Sequence, residues 1–183
     1  MKYKYERVNT ARLALITAAS IGLSFTGLSP ALADPAKDIQ VAGRALGFLE
    51  NAPSGKAVIA IVFDSSKPGS VAQKDALMGA LGSGLSAGSL TLVGKPVDVG
   101  AIGSVSGVAA LYGTTGVSQA ALGAAGKAHK LVTISAEKSC AESGQCVMSV
   151  TTSPSVEITV NHAAATAVGA SFKAAFRMMI HEI

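Results

Sequence analysis

AVIAIVF, residues 57–63, is an uninterrupted run of apolar side chains with no polar position in it. An amphipathic strand would alternate, so this run describes a strand buried on both faces, as in a parallel sheet covered by helices on each side. VAALY (108–112) repeats the pattern, and LVTI (131–134) is a third strand of the same kind with one threonine. Helical spacing separates these strands. Upstream, Asp34-Pro35 reads as a cap followed by proline at the first helical position, and Ile39, Ala42, Leu46 and Leu49 form one stripe before Asn51-Ala52-Pro53 ends the helix. After the first strand, DSSKPG turns the chain. Ser70 and Gln73 have capping-box spacing, and Leu77, Leu81 and Leu85 mark the buried side of a second helix. Residues 119–128 are a weaker third helix. Helices alternating with apolar strands predict a single three-layer α/β domain with a mostly parallel sheet and right-handed crossovers.

Two segments of the middle region are less regular. Residues 90–93 and 97–99 are short strand candidates split by Gly94-Lys95-Pro96, read as an edge hairpin or one bent strand. Residues 100–107 read as a loop.

The last third carries an antiparallel ending. Cys140 and Cys146 bracket the polar loop AESGQ, CVMSV follows as a strand, and a turn at Ser153-Pro154-Ser155 leads to VEITVN. There Val156, Ile158 and Val160 alternate with Glu157 and Thr159, which predicts a strand with one wet face. Asn161 is a helix cap, and Gly169 is read as a left-handed stop, with one continuous helix that tolerates the glycine as the rival reading. Ser171 is then expected to cap a C-terminal helix with Phe172, Phe176, Met179, Ile180 and Ile183 on one apolar face. Phe172, Phe176, Met179 and Ile180 are the candidate interaction face, because aromatic and methionine side chains are enriched where proteins meet.

The N-terminus reads as an export signal. Lys2, Lys4, Arg7 and Arg12 precede the uncharged apolar stretch 13–28, and Ala31-Leu32-Ala33 is a small-x-small cleavage site. Residues 1–33 are therefore expected to be a signal peptide cleaved after Ala33, leaving 34–183 as one domain in the periplasm without stable membrane insertion. The chain has 15 basic and 11 acidic residues. Four of those bases and one acid lie in the signal, so the remainder is nearly neutral, with no basic patch to suggest nucleic acid. In an exported protein, Cys140 and Cys146 are expected to pair as a structural disulfide rather than act in catalysis or metal binding.

Catalytic signatures are absent from the sequence. His129, His162 and His181 lie near no nucleophile elbow, the acids are scattered singly, and no metal-ligand spacing is visible. The Gly82–Gly84 pair follows a helix rather than a strand, which is the wrong context for a dinucleotide fingerprint. Neither a cofactor nor an enzymatic activity is expected. Topology supplies the candidate ligand site, since open α/β sheets bind ligands beyond the carboxyl ends of their strands. Three polar loops leave those ends, Asp64-Ser65-Ser66, Thr114-Thr115-Gly116 and Ser135 to Glu137, and Ser65, Ser66, Thr114, Thr115 and Ser135 are their candidate ligand residues. The first two loops precede helix N-termini, where backbone N–H groups favour an anion.

In its C-terminal part the sequence resembles the periplasmic YfiR-like family. The resembling features are VEITVN (156–161), the A-A-A-x-A-x-G run at 163–169 and the apolar stretch 172–180, with GKPVDV (94–99) and LVTIS (131–135) in compatible order upstream. The sequence departs from the family in the cysteine-bracketed AESGQ and in the residues 172–179. The resemblance implies a non-enzymatic exported regulator that holds the periplasmic part of a membrane-bound diguanylate cyclase inactive, with that signalling enzyme or a second copy of the chain as partner. The alternative expectation is a periplasmic small-solute-binding lobe like those of transport systems.

Overall fold

The computed structural model describes residues 34–183; the expected signal peptide and its cleavage site after Ala33 lie outside the described residues. The first helix, α1 (Pro35–Leu46), is capped by Asp34, whose carboxylate accepts the Ala36 N–H at 3.0 Å, and Pro35 fills its first turn. It ends at Gly47, earlier than Asn51, yet Ile39, Ala42, Leu46 and Leu49 are all buried as one stripe. Then follow β1 (Gly55–Phe63), α2 (Pro68–Leu81), β2 (Leu85–Ala87), β3 (Leu90–Asp98), a 3-10 turn (Val99–Ser104), β4 (Ala110–Gly113), α3 (Gln119–His129), β5 (Val132–Ser135), α4 (Lys138–Glu142), β6 (Met148–Thr151), β7 (Glu157–Val160), α5 (His162–Val168), α6 (Ala174–Arg177) and β8 (His181–Glu182).

The strands make one sheet in the order β2-β3-β1-β4-β5-β6-β7-β8. Pairing is parallel from β3 through β1, β4 and β5 to β6; β2 joins β3, and β7 joins β6, in antiparallel sense. This is the mostly parallel α/β sheet with an antiparallel C-terminal hairpin that the apolar strands predict. Alternate residues of β1 feed two cores. Ala57, Ile59 and Ile61 meet Ile39 and Leu46 of α1 and Leu77 and Leu81 of α2, while Ala60 and Val62 meet Leu122 and Ala125 of α3 and the Cys140–Cys146 pair. Burying the strand on both faces stabilises by roughly 25 cal/mol for each Å2 of apolar surface removed from water, and it explains why no polar position interrupts 57–63.

Two glycines let the helices approach the sheet closely. A Cβ on Gly43 of α1 would overlap the Leu92 side chain, and one on Gly126 of α3 would overlap that of Thr133. Buried polar groups tie the α1 face together. Thr152 Oγ1 donates to Asp38 Oδ1 at 2.6 Å across the start of α1 and the end of β6. The Tyr112 hydroxyl is buried nearby without a partner among the described residues, and burial, with the Asp38 charge adding, pushes its pKa up.

Several expectations are corrected. Of the two readings of residues 90–99, the single strand is the one found, as Leu90–Asp98, because β1 pairs with β3 along its whole length and Gly94 makes room for Met78 and Leu81; the edge-hairpin reading is the one corrected. Residues 99–104 wind into the 3-10 turn instead of a loop, with the Asp98 carboxylate capping Gly100 N–H at 2.8 Å. The segment bracketed by the cysteines is the end of α4 and a turn at Gly144. Strand β7 has no wet face at Thr159, which is buried, while Val156 is exposed beyond the strand's start. The reason is that helices cover both sides of the sheet here too.

The largest correction concerns the tail. Asn161 caps α5 through Ala164 N–H and Gly169 stops it at φ 76°, as the spacing predicts. No long C-terminal helix follows. Phe172 bridges Leu49 in antiparallel fashion, α6 is a single turn, and the chain closes as β8 along β7. The four residues expected to share one apolar face are therefore separated. Phe172 and Phe176 are core, with Phe176 stacked on Phe48 at 5.0 Å between ring centroids; Ile180 is partly buried and Met179 is exposed. Among the described residues no helix is long and apolar enough to cross a membrane.

Candidate functional site

Numbered in chain order, the five parallel strands β1, β3, β4, β5 and β6 lie in the order 2-1-3-4-5, which reverses between β1 and β4. At such a switch point the following connections leave for opposite faces and open a crevice beyond the strand ends. Here α2 follows β1 on one face and α3 follows β4 on the other. The loops at 64–66 and 114–116 flank that crevice, and the loop after β5 lies beside them.

A buried hydroxyl pair joins the first two loops. Thr114 Oγ1 donates to the Val62 carbonyl at 3.1 Å, so the 2.6 Å contact between Ser70 Oγ and Thr114 Oγ1 has Ser70 as donor. Ser70 Oγ in turn accepts the Asp64 N–H at 2.9 Å. Gln73, one turn further along α2, accepts the Thr115 N–H at 2.6 Å. The Ser70–Gln73 capping box is thereby corrected. Lys67 is the cap residue of α2 and Pro68 begins it, leaving both polar side chains to reach the β4 loop.

Carboxylates occupy the remaining loop N–H groups. Asp64 Oδ1 accepts from both the N–H and the hydroxyl of Ser66, at 3.0 and 2.5 Å. Those two bonds, hydroxyl first, with Lys67 adding and burial opposing, hold the Asp64 carboxyl below its ordinary value. Asp98, at the end of β3, accepts from Ser65 N–H at 3.2 Å as well as from Gly100; the Gly100 bond is the leading reason its pKa is also lowered. Glu137 Oε1 accepts from Gly116 N–H at 2.8 Å, and its Oε2 accepts from Gln119 Nε2 at 2.8 Å. Lys67 Nζ bonds the Gly116 carbonyl and lies 3.3 Å from Asp64 Oδ2.

Ser65, Ser66, Thr114, Thr115 and Ser135 thus all lie on one edge, although in different roles. Thr114 and Ser135 are buried; Ser135 Oγ accepts from Glu137 N–H at 3.1 Å. Ser65 and Thr115 contribute their N–H groups. Sequence reasoning placed Glu137 in the third loop without giving it a role, and missed Asp98, Ser70, Gln73 and Gln119 as parts of the site. Asp98 and Glu137 were findable as the acids nearest two strand ends; the reach of Ser70 and Gln73 across to another loop has no signal in local spacing. The edge presents Asp64, Asp98 and Glu137 with Lys67 among them, and the N–H groups of Asp64, Ser65, Ser66, Thr115 and Gly116 are bonded within it. At the loop N–H groups these carboxylates compete with an incoming anion, and they complement a donor-rich or cationic group. Among the described residues no cluster of three or more His, Cys, Asp or Glu is arranged to hold a metal ion.

The Cys140–Cys146 disulfide lies on the α3 face, both residues fully buried and their Cα atoms 5.1 Å apart. It ties α4 to the approach to β6, and Glu137 is the cap residue at the start of that helix. The three histidines are dispersed: His129 Nε2 contacts the Gly103 carbonyl, His162 contacts Glu182, and His181 is exposed in β8.

No protein-family model matches the sequence, and no curated protein matches it. Solved structures match the fold. A conserved domain protein from Vibrio cholerae aligns with TM-score 0.60 at 12% identity over 82% of this chain and 60% of that one. The ligand-free, open structure of a substrate-binding protein with adhesive properties from Clostridium difficile aligns with TM-score 0.58 at 16% identity, over 80% and 58% respectively. A Streptococcus pneumoniae protein described as an ABC domain in complex with L-Trp aligns with TM-score 0.56 at 12% identity, over 81% and 60%. The chain spans about three-fifths of the length of these structures, and what it shares with them is the α/β fold.

Proposed function

We propose that the chain is a non-enzymatic, exported binding lobe that presents the carboxyl edge of its sheet to a small polar solute. The observation that carries this reading is the Ser70–Thr114 hydroxyl bridge at the switch point, which fixes the two loops flanking the crevice against each other. Support comes from the fold shared with a substrate-binding protein and with a protein bound to L-Trp. Asp64, Asp98 and Glu137 favour a solute bearing a protonated amine, with the Ser65, Ser66 and Thr115 side chains at hand for its neutral groups. A lobe of this length supplies one wall of a cleft, and the second wall comes from another lobe or another copy. Thermal-shift screening of amino acids, polyamines and organic acids tests this. Amine-bearing solutes are expected to raise the melting temperature, with about 2.7 kcal/mol of stabilisation at a hundred times Kd. No stabilisation by any amine, or stabilisation by anions alone, sinks the reading.

A second reading, regulation by contact with the periplasmic part of a membrane signalling enzyme, is the one the YfiR-like resemblance implies. Met178 and Met179, 88% and 67% exposed side by side after α6, favour it. Capture of a membrane protein by the wild-type chain, lost on Met178→Ser with Met179→Ser, tests it; equal capture by both counts against it.

A further inference from the structure

At the opposite end of the sheet from the candidate ligand edge, the tail lines a half-open cavity of about 270 Å3. Its apolar wall is Val160, Ala165 and Phe172, and its polar wall is His162, Arg177 and Glu182. Strand β7 runs antiparallel to β6, so Val160 lies beside Met148, at the start of β6. The polar wall already holds a carboxylate. Glu182 Oε2 accepts from Arg177 Nε at 2.9 Å, and its Oε1 lies 3.1 Å from His162 Nδ1. The Arg177 bond first, then His162, hold the Glu182 carboxyl below its ordinary value against the opposing effect of burial.

A carboxylate forked between a guanidinium and an imidazole, with an apolar hollow beside it, is how a small acid is recognised. The group filling that fork belongs to β8, whose pairing with β7 spans only His181 and Glu182 and is extended by two backbone bonds at Ile183. So short an edge strand costs little to detach. Among the described residues, the terminal amino groups of Arg177 have no other partner.

We propose that this cavity is a binding site for small carboxylic acids with an apolar body, and that Glu182 is the chain's own occupant of the fork, displaced together with β8 when such an acid binds. The acid's carboxylate takes the place of Glu182 between Arg177 and His162, and its body lies against Val160, Ala165 and Phe172. The site is independent of the crevice at the switch point.

The test is a titration of the full chain with sodium benzoate, followed by amide NMR, with benzamide as the neutral control. Benzoate is expected to shift Gly169, Ser171 and Phe172 and to abolish hydrogen-exchange protection at Ile183; benzamide is expected to do neither. Emptying the fork with Glu182→Gln should tighten benzoate binding roughly tenfold, because the competing internal anion is gone, and Arg177→Gln should weaken it by a similar factor. Arg177→Lys, which keeps the charge but not the fork, should fall between wild type and Arg177→Gln. Unchanged or weaker binding by Glu182→Gln overturns the proposal, as does an equal response to benzamide. Shifts confined to Thr115 and Gly116 also overturn it while leaving the solute-binding edge standing.

Discussion

Ser70 Oγ and Thr114 Oγ1 lie 2.6 Å apart, buried, although 44 residues separate them in the chain. One is in the first turn of α2 and the other just beyond β4, so the contact crosses the point where strand order reverses. Replacing Ser70 with Ala leaves the Asp64 N–H without its acceptor and is expected to cost about 1–3 kcal/mol. Thr114→Val should cost a similar amount, and the double variant less than the sum, by about 0.5 kcal/mol or more. Urea denaturation of the four proteins measures this coupling. Additive losses would show that the two hydroxyls act separately.

The tail has two kinds of apolar residue, and they should respond differently to truncation. Phe176→Ala removes a ring stacked on Phe48 and packed near Phe172, with an expected loss of about 3–5 kcal/mol. Met179→Ser should stay within about 0.5 kcal/mol of wild type, as exposed positions do. A comparable loss at Met179 in chemical denaturation would restore the amphipathic C-terminal helix that the sequence spacing predicts.

Acid should weaken the fold through its paired carboxylates. Asp64, Asp98, Glu157 and Glu182 are all held below ordinary values of 3.8 for the aspartates and 4.5 for the glutamates. For Glu157 the cause is first the hydrogen bond from Lys138 and then that residue's charge. A depressed folded pKa means the unfolded chain binds more protons in that window, so the stability is present above the ordinary values and lost as pH falls through the folded ones. Lys138 behaves oppositely. Its pKa is raised by the Glu157 bond, so its contribution is complete below the ordinary 10.5 and lost as pH rises through the folded value. Urea midpoints should be flat from about pH 7 to 5 and fall below about pH 4. Glu157→Gln should flatten part of both limbs. A profile identical to wild type for that variant would show the pair to be screened out in solution.

Reducing Cys140–Cys146, or replacing both with Ala, should lower stability by about 2 kcal/mol, the chain-entropy value for so short a loop. Because the segment also carries Glu137, amide shifts are expected at Gly116, which Glu137 accepts from. Denaturation with and without reductant, and NMR of the reduced protein, check the two parts. A stability change with no shift at Gly116 would mean that the disulfide does not support the ligand edge.

How much could be read in advance depended on the range of each signal. AVIAIVF declared a doubly covered strand, because burial on both faces leaves no polar position, and Asn161 and Gly169 marked the bounds of α5 through their own backbone requirements. The same local logic failed at Ser70 and Gln73, whose spacing fits a capping box, but Ser70 donates to Thr114 and Gln73 accepts from Thr115, 44 and 42 positions away. It failed again after Gly169. Phe172 and Phe176 have helical spacing, yet Leu49 and Phe48 draw them into the core, and one turn of helix is all that this docking leaves.

Composition and periodicity alone established the α/β class, the parallel centre of the sheet, its antiparallel end and the three loops that leave the strand ends. Those properties follow from each segment's own pattern of burial and backbone preference, which neighbours in sequence report. Only the tertiary structure decided that acids accept the Ser65, Ser66 and Gly116 N–H groups, that Ser70 reaches Thr114, and that Glu182 closes a fork between Arg177 and His162. Such pairings join residues far apart in sequence or carried to one place by chain reversal, and hydrogen-bond partners within about 3 Å are a property of the packed chain rather than of any segment in it.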